Sequence, residues 1–193
     1  MVPETTTAAP GAGTILTGTL DEELQKMYDA MKVRAAEVPE YIRLLKSGGL
    51  LERRKSAEFL GEAGDERGVL PLIDALQDPS ETVQYVAAKS LGMLADRRAV
   101  DPLIGLLQSK DKWVRLGAAH ALGLIGDKKA VDRIIPLLDD PHHDLRAHAA
   151  WALGRLGDAR AAEPLIRLLA DPREDVRREA KKALDLLGGG STV

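Results

Sequence analysis

Residues 147–169 read AHAAWALGRLGDARAAEPLIRLL, and the pattern returns twice upstream. AKSLGMLADRRAVDPLIGLL starts at residue 88, AHALGLIGDKKAVDRIIPLL at 119 and AWALGRLGDARAAEPLIRLL at 150, a constant step of 31 residues. Gly61, Gly92, Gly123 and Gly154 fall on that step, as do Asp65, Asp96, Asp127 and Asp158. A fixed period between 20 and 50 residues is the signature of a solenoid or similar array.

Each unit carries two amphipathic helical patterns. The A type (AVDPLIGLLQ) is expected near 68–77, 99–108, 130–139 and 161–170. The B type (WVRLGAAHALGLIG) is expected near 51–63, 82–94, 113–125, 144–156 and 175–187. Asp-Pro separates A from B in DPS, DPHH and DPRE. Gly64, Gly126, Gly157 and Gly188 end the B patterns, where a left-handed residue closes a helix. EYIRLL at 40–45 aligns with PLIDAL at 71–76 and adds a first A helix over about 39–47. Upstream, Leu24, Met27, Met31, Ala35 and Val38 form one apolar stripe, and Thr19 and Glu22 have capping-box spacing. The expected organisation is a disordered tail over 1–18, a capping helix over 19–38, a repeat array over 39–188 and a flexible end over 189–193.

Mid-helix Gly is unfavourable by about 1 kcal/mol against Ala, so its recurrence implies close approach of a neighbouring helix. In the last unit Asp185 takes the Gly position and Lys181 replaces the second Ala of the Ala-Ala pair. A terminal repeat needs such a polar outer face, and on this reading the array ends there.

The composition agrees with packed helices. Apolar residues make up 45% of 193 and aromatics 3%, so the core must be Ala, Leu, Val and Ile. Without cysteine, disulfides and thiolate metal sites are excluded. There is no secretory pattern and no run able to span a bilayer, which implies a cytoplasmic protein without a membrane partner. A net charge of −3 gives no general reason to expect nucleic acid.

Residues 39–187 resemble HEAT-like repeats of the short type first associated with phycobilisome bilin lyases. The resemblance implies an all-α, right-handed α-solenoid of about five helix pairs, with the B helices on the concave side. It also implies a ladder between an Asp of the A–B turn and an Arg six residues later. Asp140 with Arg146 and Asp171 with Arg177 match; Asp78 precedes Gln84 and Ser109 precedes Arg115, so the ladder is incomplete in mid-array. HEAT-repeat hydroxylases bind iron through His-Glu pairs, and no His here is followed by Glu. The family includes scaffolds, adaptors and a few enzymes, and fold alone does not choose among them.

Counting B-helix positions from Leu51, Thr82, Trp113, Asp144 and Asp175, a helical wheel places 2, 6, 9, 10 and 13 on the core side. Positions 1, 4, 5, 8 and 12 face away, toward the groove by resemblance. They hold both Trp residues and vary in type from unit to unit. Tyr85, Trp113, Leu116, His120 and Trp151 are the expected contact residues. Lys89, His148, Arg155 and Lys182 are expected to set polarity. This points to a non-catalytic protein-interaction scaffold, monomeric and without cofactor, metal or catalytic residues. The alternative is a bilin lyase or tetrapyrrole chaperone. A lesser reading is nucleic-acid binding along the loop row Arg67, Arg97, Arg98, Lys128, Lys129 and Arg160. Asp144 and His148, one turn apart, are a weak metal pair, and Glu58 with Glu62 a weak carboxylate pair.

Overall fold

The computed structural model describes the backbone of residues 15–188 and, outside 15–22, 24 and 28–33, their side chains. Ten α-helices follow one another in that range. They are α1 (Ile15–Ser47), α2 (Leu50–Ala63), α3 (Val69–Ala75), α4 (Glu81–Leu94), α5 (Val100–Leu106), α6 (Lys112–Ile125), α7 (Val131–Ile134), α8 (His143–Leu156), α9 (Ala162–Leu168) and α10 (Glu174–Gly188). Two compact units emerge, Met1–Glu37 and Val38–Val193.

α1 carries Pro39 inside it. The alignment of EYIRLL with PLIDAL starts the first A helix at this residue. The backbone instead runs helically from Ile15, ahead of Thr19, through both the expected cap and the expected first A helix. Within the apolar stripe Met27 is 63% exposed and Val38 is buried. The Leu24 and Met31 side chains, most of the 1–18 tail and the 189–193 end lie outside the described residues.

From Val38 onward the array is an α-solenoid. The B helices α2, α4, α6, α8 and α10 pack each on the next, and the short A helices pack on their own unit's B helix. Each B-to-A turn is a single 3-10 turn opened by the periodic aspartate. The carboxylates of Asp65, Asp96, Asp127 and Asp158 accept the N–H of Arg67, Arg98, Lys129 and Arg160 at 2.8–3.0 Å. That is the N-cap bond, and it accounts for Asp on the step.

α7 departs from its siblings. Pro71, Pro102 and Pro164 sit in the first turn of their helices, where no N–H is needed. Unit four has Arg133 there and Pro136 instead, deeper in the segment. α7 stops at Ile134 and the chain continues as a 3-10 helix over Ile135–Asp139.

The core is aliphatic, with Leu60, Leu91, Leu122 and Leu153 of successive B helices fully buried. The periodic glycines lie where B helices touch. A Cβ on Gly92 would fall 2.8 Å from Ala121 Cα, and on Gly154 2.7 Å from Ala183 Cα. On Gly61 it would meet Ser90 at 2.5 Å. Ser90 uses its hydroxyl there to donate to the Ala57 carbonyl of α2 at 2.7 Å, so the one polar residue in this contact row is satisfied.

Candidate functional site

The outward B-helix face bears most of the residues singled out by the wheel. Trp113 is 51% exposed at the start of α6, fixed by Asp111, whose carboxylate accepts its N–H at 2.8 Å. Lys112 Nζ stands 4.6 Å from the Trp113 ring centroid and 3.2 Å from Asp144 on α8. Tyr85 and Trp113 line a shallow pocket of about 230 Å³ with Glu81, Thr82 and Asp111.

A second cluster joins α6, α8 and α10. Trp151 is half-buried and stacks on His120 of the preceding unit, with centroids 4.5 Å apart and planes 11° from parallel. The contact is possible because Gly123 leaves room; a Cβ there would lie 2.8 Å from Trp151 Cζ3. Trp151 is thus both packed on its neighbour and open on its outer side. Arg155, one turn on, brings its guanidinium 5.4 Å from the Trp151 centroid and donates from Nε to the Gly123 carbonyl at 3.2 Å. His148 lies with its ring centroid 6.2 Å from that of His120, and its Nδ1 is 2.8 Å from the Asp144 carbonyl. His120, Ala147, His148, Trp151 and Glu179 enclose a pocket of about 160 Å³. Burial pushes the His120 imidazole below its ordinary value, and His148, Lys89 and Arg155 push it the same way. A cation–π contact over a half-desolvated ring is worth about 0.5–1 kcal/mol.

Lys89 and Lys182 are exposed on the same row, Lys182 within 3.2 Å of Glu179. Leu116 is placed differently from the expectation. It is 8% exposed and belongs to the core, under the face rather than on it. Position 4 lies at the edge of the outward arc, so the rotation of α6 against its neighbours decides its burial, and a single-helix wheel does not contain that rotation.

The ladder has two links: Arg146 and Arg177 donate to the carbonyls of Asp140 and Asp171 six residues upstream at 2.9 and 2.8 Å. Arg53, Arg115 and Arg146 also reach the aspartate carboxylate of the following unit. Arg53 binds Asp78 at 2.7 and 3.0 Å, Arg115 binds Asp140 at 3.0 Å, and Arg146 binds Asp171 at 2.7 and 3.0 Å. Arg53 was missed because no aspartate precedes it by six residues; its place on the 31-residue step with Arg115, Arg146 and Arg177 was the available signal. At the remaining rung Gln84 and Ser109 replace both partners, so no charge is left unpaired.

The basic loop row, Lys128 apart, is paired with carboxylates in place. Arg67 pairs with Asp65, Arg97 with Asp127, Arg98 with Asp96, Lys129 with Asp101 and Arg160 with Asp158 and Asp132. Of the remaining histidines, His142 contacts Asp140 and His143 contacts Asp175, each through Nδ1 at 2.8–2.9 Å. Among the described residues no three His, Asp or Glu side chains converge as a metal set. None of the described helices is long and apolar enough to cross a membrane.

Comparison with known proteins supports the architecture. The HEAT-repeat family model matches over residues 38–119, 69–145 and 103–185. The complex of CpcE and CpcF of phycocyanin lyase from Nostoc sp. PCC7120 is similar, with a TM-score of 0.72 and 30% identity. That similarity covers 77% of this chain and 64% of that chain, so this chain spans less than two thirds of its relative's length. An engineered protein matches at a TM-score of 0.67 and 25% identity over 84% of each chain. A designed armadillo repeat protein solved with a (KR)4 peptide, at 22% identity and a TM-score of 0.63, shares the fold. No curated protein matches. With its repeat model covering most of the array, the chain belongs to the HEAT-repeat family.

Proposed function

We propose that the chain is a non-catalytic scaffold that binds a protein partner on the outward face of α4, α6, α8 and α10. The observation that carries this reading is the His120–Trp151 stack with Arg155 beside it, presented next to an exposed Trp113. Aromatic and arginine side chains dominate the energetics of protein interfaces. They stand here on a frame fixed by Leu packing, N-cap aspartates and the Arg–Asp ladder, so little ordering entropy opposes binding. Tyr85, Lys89, His148 and Lys182 border the same surface. The protein acts on this reading in the cytoplasm, as a monomer and without a cofactor.

The test is affinity capture from the native host with wild type and with Trp113→Ala combined with Arg155→Gln, both exposed residues. Selective loss of a specific bound protein, with helical content unchanged, supports the scaffold. Identical capture by both chains counts against it.

The resemblance to phycocyanin lyase favours a second reading, a bilin-binding chaperone or lyase acting on a client protein. The 160 Å³ pocket favours the first reading, since ligand sites for cofactor-sized molecules run at about 300–1,000 Å³. Titration with a free bilin, followed by its visible absorption, separates them. A saturable spectral shift lost in His120→Ala is the lyase-type outcome.

A further inference from the structure

The two aromatic pockets on the B-helix face differ in charge. Around the His120–Trp151 stack three carboxylates already face a cation: Asp144 faces Lys112, Asp175 faces Arg173 and Glu179 faces Lys182. Lys89 and Arg155 enter no ion pair among the described residues. Arg155 commits Nε to the Gly123 carbonyl, which fixes the guanidinium at the rim and leaves its terminal nitrogens turned to no protein acceptor. The local field is therefore positive; burial first, and then His148, Lys89 and Arg155, hold the His120 imidazole below its ordinary value.

From this we infer that the stack is the docking site for an acidic segment of the partner protein. One apolar or aromatic side chain lies on Trp151 and His120, and flanking Asp or Glu carboxylates meet Arg155 and Lys89. The inference rests on the scaffold reading and adds the partner's chemistry to it.

Three features select this occupant. The pocket holds about 160 Å³, room for a single side chain rather than a whole ligand, so further contact must come from along the row. Lys89, His120, Trp151 and Lys182 occupy the same position in successive units. Packed helices are about 8–10 Å apart and an extended chain rises about 3.3 Å per residue, so every third peptide residue meets a new unit. Finally, a lysine or arginine anchor is disfavoured. Arg155 already lies over the Trp151 ring, and Glu179, the pocket's own carboxylate, is held by Lys182. A carboxylate beside Arg155 instead gains paired N–H donors in the fork geometry that suits it.

The test uses the full chain and fluorescently labelled peptides of about nine residues, each with a central Phe flanked by Asp and Glu, by Ser and Asn, or by Lys and Arg. Anisotropy titrations are expected to rank acidic above neutral by at least about tenfold, with the basic peptide weakest. The preference should fade at about 0.5 M salt. The acidic-over-neutral ratio should fall to about one in Lys89→Gln/Arg155→Gln, both exposed side chains. No peptide binding, equal binding of all three, preference for the basic peptide, or a preference that survives the double substitution overturns the inference. If host capture still depends on Trp113 and Arg155 while the acidic preference is missing, the scaffold stands and only this partner chemistry falls. Capture that is indifferent to those residues removes the scaffold reading itself.

Discussion

Arg146 on α8 reaches out of its own unit to Asp171 in the next, with Nε and Nη2 at 2.7 and 3.0 Å from the two carboxylate oxygens. Its Nη1 turns back to the Asp140 carbonyl at 2.9 Å, so one guanidinium joins two turns. The Arg146 and Asp171 side chains are 13% and 5% exposed. The guanidinium holds the Asp171 carboxyl below the usual carboxylate range.

Removing one partner leaves a nearly buried charge without compensation. Arg146→Ala should destabilise the fold by about 2–3 kcal/mol, below the usual figure for full burial because the site keeps some solvent. Copying the natural neutral rung with Arg146→Gln and Asp171→Ser should recover most of that loss, to within about 1 kcal/mol of wild type. Urea denaturation of Arg146→Gln, Asp171→Ser and the double variant reads the coupling.

Two glycine positions should respond with opposite sign. Gly123→Ala forces a Cβ to 2.8 Å from Trp151 Cζ3, which turns the ring, and to 2.9 Å from Ala152 Cα, which retreats only if α8 moves. A net loss of about 1–3 kcal/mol is expected, with a changed Trp emission spectrum. Gly105 in α5 has nothing within 4 Å of its Cβ direction, so Gly105→Ala should stabilise by about 0.5–1 kcal/mol through helix propensity. Thermal melts of the two variants compare the signs directly.

Ala95 closes α4 at φ 53°, where Gly64, Gly126 and Gly157 close α2, α6 and α8 at 67°, 77° and 61°. A Cβ in the left-handed region is unfavourable by about 1 kcal/mol, and Ala95 is exposed. Ala95→Gly should raise the denaturation midpoint by a corresponding amount without altering the circular dichroism spectrum.

The tryptophans should separate structure from recognition. Trp113→Ala should change stability by less than about 0.5 kcal/mol, as for an exposed site. Trp151→Ala removes a half-buried ring from against Gly123 and His120 and should destabilise by about 2 kcal/mol. Chemical denaturation of the two single variants measures the difference.

The His120 imidazole titrates below its ordinary value in the folded chain. Its folded pKa being depressed, the associated stability is intact above the unfolded value of about 6.5 and declines as pH falls through it. The unfolded chain takes up that proton first, and the decline ends once the folded imidazole is protonated too. Relative to His120→Gln, the wild-type urea midpoint should therefore drop further between about pH 7.5 and about pH 5.5. NMR titration of the ring protons should place the His120 midpoint below that of a free histidine.

Most of the fold was legible because it depends on spacing. The Gly, Asp and Ala positions recur on one step, and each meets the same local need in every unit: helix contact, turn capping, close packing. The site was legible only as a face. Lys89, His120, Trp151 and Arg155 could be placed on the outward arc, but the stacking of Trp151 on the preceding unit needs the offset between helices, which no single helix encodes. The same offset buried Leu116. Half of the ladder was legible: Arg146 and Arg177 do bond the carbonyls of Asp140 and Asp171 six residues upstream, but the carboxylate link from Arg146 to Asp171, 25 residues on, crosses a unit boundary that the within-unit spacing does not reveal.

The Gly–Ala contacts between B helices have a further consequence. Small residues and the turn ladder hold the backbone path, so the eighth position of each unit packs only where His120 meets Trp151 and is exposed at Glu58, Lys89 and Lys182. It carries Glu58, Lys89, His120, Trp151 and Lys182 in turn. The exposed side chains of that row can be exchanged one repeat at a time while the helices beneath stay in register, like characters set in a fixed frame.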